Sequence, residues 1–159
     1  MSRMKKAALL LLCVTLALTL SGCDLLGILY FRMLVRNSDD RAGREAVIKY
    51  VLANEALLSY CIRSGDYEAL DGSGIITDIS VQSDHVDFGC GGAGIGPETA
   101  YCGFYYTEND DMSAPWCANH YGETLQPSGS GYIWKESGGD NVYYTEHICG
   151  HFYYYEANF

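Results

Sequence analysis

The chain has 159 residues, 48% of them hydrophobic and 19% charged, and 10 Lys and Arg against 20 Asp and Glu give it a net charge of −10. The acidic excess is distal: residues 64–159 hold fifteen acidic side chains against Lys135 alone, whereas residues 24–63 carry six basic and five acidic ones. Such a field repels phosphates, which proteins bind through clustered Lys and Arg, and it excludes nucleic acid as a partner.

The N-terminus begins with the charged residues Arg3, Lys5 and Lys6, continues with fourteen uncharged and mostly apolar residues from Ala7 to Leu20, and closes on Leu20-Ser21-Gly22-Cys23. This pattern resembles a bacterial lipoprotein signal peptide ending in a lipobox. Fourteen helical residues reach only ~21 Å, short of the ~30 Å hydrocarbon core, which favours a removed signal over a spanning segment. The resemblance implies cleavage before Cys23 and acylation of its thiol. It therefore implies a protein on the outer side of the bacterial cell membrane, held there by acyl chains. The expected organisation is a signal peptide over residues 1–22, a lipidated anchor and apolar juxtamembrane segment over 23–37, and a single domain over 38–159. The segment after Cys23 departs from the polar tether usual in such proteins, because Leu25-Leu26-Gly27-Ile28-Leu29-Tyr30-Phe31 is apolar again. The alternative is one uncleaved anchor helix from about Ala7 to Phe31, against which Asp24 stands as a charge inside the span.

Beyond the anchor, Ser38, Asp39 and Asp40 offer capping side chains. Val47, Tyr50, Val51, Leu57, Leu58, Cys61 and Ile62 then recur at helical spacing, predicting an amphipathic helix from about Asp40 to Arg63. The period then changes to two. Ile75, Thr77, Ile79 and Val81, a turn at Gln82-Ser83-Asp84, and Val86, Phe88 and Cys90 predict a β-hairpin. A glycine-rich loop is expected over Gly89–Pro97, a strand over Thr99–Thr107, a turn at Glu108–Asp111 and a weaker strand over Ala114–Tyr121. A final pair follows, Gly131–Glu136 and Val142–Tyr155, joined by Ser137–Asn141. The expected fold class is α+β, one amphipathic helix packed on an antiparallel sheet of five or six strands, an architecture reminiscent of cystatin-like folds by analogy only.

Five cysteines fall in the domain. In an oxidising exterior two disulfides among Cys90, Cys102, Cys117 and Cys149 are expected, with Cys61 on the apolar helix face left as a buried free thiol; the connectivity stays open. His147, Cys149 and His151 alternate along the last predicted strand and, with His120, are candidate metal ligands, although their spacing matches no zinc module. A Cys/His nucleophile pair lacks any local signature. Gly89-Cys90-Gly91-Gly92-Ala93-Gly94 has the letters of a dinucleotide fingerprint, but Pro97 and a strand follow where a helix must open. No catalytic residue and no cofactor is implied. Tyrosine supplies the strongest surface signal: Tyr143, Tyr153 and Tyr155, with Trp134, are the candidate binding residues. Aromatic rings with wet hydroxyls suit a protein, peptide or saccharide partner. The expected function is a lipid-anchored, non-catalytic binding module using an aromatic, acidic sheet surface; a metal-handling lipoprotein is the alternative, and a small thiol enzyme or hydrolase stands behind both.

Mass spectrometry of the mature N-terminus is expected to find a diacylglyceryl-modified Cys23 as the first residue. An intact Met1 would instead make the N-terminal segment an uncleaved anchor.

Overall fold

A computed structural model of the chain describes residues 41–95, 98–115 and 124–159. The chain separates into two units at Ser38/Asp39, and the described residues belong to the second. Cys23, the juxtamembrane run and the capping candidates Ser38, Asp39 and Asp40 lie outside the described residues. No helix among the described residues is long and apolar enough to cross a membrane.

One α-helix precedes all the strands. Helix α1 spans Arg44–Ser64 and starts from Gly43 without a side-chain cap, a few residues later than the expected Asp40. It stops at Gly65, whose φ of 70° is the left-handed conformation that glycine adopts freely, and whose N–H returns to the Cys61 carbonyl at 2.8 Å. Val47, Val51, Leu58 and Cys61 are its fully buried residues, spaced to share one face. Leu57, assigned by its spacing to that face, is 37% exposed. A short 3₁₀ turn, Glu68–Leu70, leads into the sheet.

The sheet has seven strands rather than five or six: β1 Asp78–Val81, β2 Val86–Ile95, β3 Glu98–Tyr106, β4 Gln126–Ser128, β5 Gly131–Lys135, β6 Val142–Cys149 and β7 Phe152–Asn158. All pairs are antiparallel, in the spatial order β1-β2-β3-β7-β6-β5-β4. The expected hairpin is present, with Ile79 opposite Phe88 and Val81 opposite Val86. Three expectations are corrected. The glycine-rich stretch Gly89–Ile95 is strand rather than loop: Gly89 pairs with both β1 and β3, and Gly92–Ile95 pair with β3. It bulges where Cys90 and Gly91 together stand against Cys102. Val142–Tyr155 is two strands, because Gly150, with φ of 50°, and His151 form a two-residue hairpin between β6 and β7. Ala114 and Pro115 lie in a turn after β3, and the rest of the weaker expected strand lies outside the described residues.

Alternation divides the aromatic residues between the two faces. On the helix side Phe88, Phe104, Phe152 and Tyr154 pack with Val47, Val51 and Leu58 into the main core, and Phe88 and Phe104 stack with centroids 4.6 Å apart. On the far side Trp134, Tyr143 and Ala157 form a second cluster, with Leu125, Tyr155 and Phe159 against it.

The start of α1 is fastened to the sheet by charge. Glu146 of β6, its side chain 4% exposed, takes the Arg44 guanidinium in a two-point contact through Nε and Nη2, the latter at 2.6 Å. Ser130 also donates to this carboxylate at 2.6 Å and Tyr144 at 3.2 Å. Burial alone pushes the Glu146 carboxyl up, but the hydrogen bonds from Arg44 and Ser130 outweigh it and hold the group below the usual glutamate range. A depressed native pKa contributes stability that is complete above the unfolded-state range and is lost as pH falls through the native value. Arg44 is half exposed, which screens the pair. Arg44→Ala is therefore expected to cost about 1–2 kcal/mol in denaturant unfolding at neutral pH. The difference from the parent chain is expected to close as pH falls through the depressed native range of Glu146.

Candidate functional site

The far sheet face carries a cleft of about 420 Å³. Its floor is made by glycines. The bulge in β2 turns both Gly89 and Gly92 toward this face, where a Cβ on Gly92 would meet the Tyr101 ring at 3.1 Å and one on Gly89 would meet the Asp78 carboxylate at 2.2 Å. The β3–β7 register sets Tyr155 opposite Gly103, and a Cβ there would meet Tyr155 Cε1 at 2.8 Å and the Phe88 carbonyl at 2.4 Å. Tyr155 consequently lies low across the sheet, and its hydroxyl reaches Asp87 Oδ2 at 3.4 Å. Tyr143 stacks with Tyr155 at 6.2 Å, and Tyr101, 46% exposed, stands open on the other side.

Two carboxylates enter this setting from the β1–β2 hairpin. Asp78 lies opposite Gly89 and Asp87 opposite Ser80, so both point to the far face as diagonal neighbours. Asp87 Oδ1 is buried and has no hydrogen-bond partner. Burial first, then the like charge of Asp78, pushes the Asp87 carboxyl up to about 6, against the opposing pull of the Tyr155 hydroxyl and His85. The Tyr155 phenol is likewise driven far above its usual range by burial and by Asp87. The residues lining the cleft include no Lys or Arg among those described.

The expected binding residues divide. Tyr155 lines the cleft, and Tyr143 borders it while almost wholly buried. Trp134 is packed beneath the second cluster rather than presented to solvent. Tyr153 stacks on Tyr105 at 5.3 Å and is 5% exposed, its hydroxyl bound to Asp110 at 3.1 Å. The residues after β3 explain the burial: the Tyr105 hydroxyl donates to the Met112 carbonyl at 2.7 Å, so this segment lies over Tyr105. The aromatic face is a cleft, not an open plate of rings. Asp78, Asp87 and Tyr101 were absent from the expected binding set, although the alternation of the predicted hairpin already put the two carboxylates on one face.

A bulge in β6 separates His147 from Cys149, and His151 lies in the β6–β7 turn. His147 Nε2 meets the Gly150 carbonyl at 2.9 Å and His151 Nδ1 meets Asp110 at 2.8 Å, whereas Cys149, displaced by a bulge, packs against the main core. The expectation of one shared face for His147, Cys149 and His151 is thus corrected by the bulge before Cys149 and by the turn that holds His151. No group of three His, Cys, Asp or Glu side chains among the described residues is placed to hold a metal ion; His120 lies outside them. Cys61, Cys90, Cys102 and Cys149 form no disulfide with one another, so the expected bridges among Cys90, Cys102 and Cys149 are absent from the described residues. Cys117 lies outside the described residues. Cys90 and Cys102 are neighbours across the bulge, and the Cys102 thiol donates to the Cys90 carbonyl at 3.5 Å, a contact that serves packing rather than cross-linking.

A carboxylate with a raised native pKa destabilises the fold when it ionises: its favourable contribution is complete below about pH 4 and is lost as pH rises through about 6. Asp87→Asn is therefore expected to raise thermal stability at pH 8 by about 1–3 kcal/mol and to change it little at pH 4. Calorimetry at the two pH values checks this, and equal stabilisation at both would remove Asp87 as the titrating group. No protein-family model matches the chain, and comparison with the curated proteins and with the solved structures finds no match in either.

Proposed function

We propose that this is a lipid-anchored, extracytoplasmic binding protein, displayed on the bacterial cell membrane through acyl chains on Cys23, that holds a ligand in the cleft on the far face of its sheet. The observation that carries the binding role is the combination of a glycine floor, tyrosine walls and an unpartnered buried carboxylate oxygen in one concavity. A volume of about 420 Å³ falls in the range of small-molecule sites. Side chains that only filled a core would close this space and leave no acceptor unsatisfied. Non-catalytic binding is favoured because the described lining residues gather carboxylates and phenols, with no activated nucleophile beside a base among them. The anchor rests on the lipobox resemblance, and the acidic distal surface favours a domain facing away from anionic lipids.

The test is a thermal-shift screen of the full chain in detergent against a small-molecule library of mixed charge. Ligands are expected to raise Tm, and Tyr101→Ala, at an exposed position, is expected to abolish the rise while leaving the unliganded Tm within a degree or two. Shifts that survive both Tyr101→Ala and Asp78→Asn would place binding elsewhere and sink the proposal.

A further inference from the structure

The chemistry of the cleft narrows its ligand. The walls supply two carboxylates and the faces and hydroxyls of tyrosines, and the described lining residues contain no basic side chain. Anions are therefore repelled, and a neutral ligand would leave two like charges on one face without compensation. A buried acceptor without a donor is costly, and Asp87 Oδ1 is in that position. The missing partner must bring an N–H or O–H, and the local charge favours a cationic one. Tyr101 and Tyr155 present ring faces beside the carboxylates, a setting that attracts organic cations and shelters an alkyl stem. A quaternary ammonium would satisfy the rings but not Oδ1.

We infer, resting on the binding role proposed above, that the cleft takes an N–H-bearing organic cation, an aliphatic ammonium or guanidinium group, seated between Asp78 and Asp87 with its alkyl chain against Tyr101. Asp87 provides the buried acceptor and Asp78 the more open one. The groups facing Asp87 are Asp78 on β1, His85 in the turn before β2, Tyr105 opposite it on β3 and Tyr155 on β7. Asp87 takes up a proton near pH 6, so cation binding weakens on acidification.

Isothermal titration of the full chain in detergent with agmatine and putrescine, beside tetramethylammonium, N-acetylglucosamine and glutarate, tests this. Agmatine and putrescine are expected to bind with one site per chain, at least tenfold more tightly than the other three. Affinity is expected to fall at least tenfold in Asp87→Asn, and also between pH 8 and pH 5. Asp87→Asn is expected to be the more stable protein, so its loss of binding cannot be laid to unfolding. Asp78→Asn is expected to weaken binding less, and added salt to weaken it further. Binding of N-acetylglucosamine, abolished by Tyr101→Ala, with no response to either amine would overturn the cationic ligand and leave the binding role standing. Equal affinity for tetramethylammonium and putrescine would overturn the role of Asp87 Oδ1, and silence from every probe would overturn the inference as a whole.

Discussion

A seven-stranded sheet is wider than one helix can cover, and this mismatch governs the architecture. Strands about 4.8 Å apart make a sheet some 30 Å across, whereas a helix with its side chains is about 10 Å wide. Helix α1 settles over the middle of the sheet, with its buried residues against Phe88, Phe104, Phe152 and Tyr154. The opposite face has no helix among the described residues and must be finished by other means. Tyrosine serves because its ring buries area while its hydroxyl can find a partner: Tyr105 finds Met112, Tyr153 finds Asp110 and Tyr155 finds Asp87. The second face is thereby packed with rings whose polar ends must each be matched. The cleft lies where that matching is incomplete.

The placement of α1 and the shape of the cleft are connected through backbone. The Ala42 N–H donates to the Cys90 carbonyl at 2.8 Å, within the bulge that turns Gly89 and Gly92 to the far side. A few residues on, Arg44 grips Glu146 on β6. The approach to the helix thus joins a strand on one side of the β3–β7 pair to a strand on the other. Burying an ion pair is a poor source of net stability, but its geometry is demanding, and a two-point guanidinium contact fixes where the helix begins.

Much of this was legible in the chain itself. The spacing of Val47, Val51, Leu58 and Cys61 marked the helix, and alternation from Ile79 through Phe88 marked the first hairpin. The glycine-rich stretch misled because composition reports what a backbone is free to do, whereas pairing, here along β3, decides what it does. The β6–β7 turn was hidden because aromatic and β-branched residues run up to both sides of Gly150-His151, with a single glycine as punctuation. Strand β4 is three residues long and contains Pro127, too brief to leave a pattern. The binding residues were only partly visible, since alternation assigns each tyrosine to a face but cannot say which ones a later segment covers. Nor could it show that β3 pairs with β7, some fifty residues away, which lays Tyr155 over Gly103.

The short outer strands have a consequence for behaviour in company. An open sheet ends in two rows of unpaired peptide groups, which can template the addition of strands from other molecules. Here one border is the four-residue β1, with Asp78 on it and His85 and Asp84 at its turn, and the other is β4, where proline removes a donor. Neither border offers a long, flat, uncharged ladder. Among the described residues, β1 and β4 are therefore poor templates for the addition of a further strand.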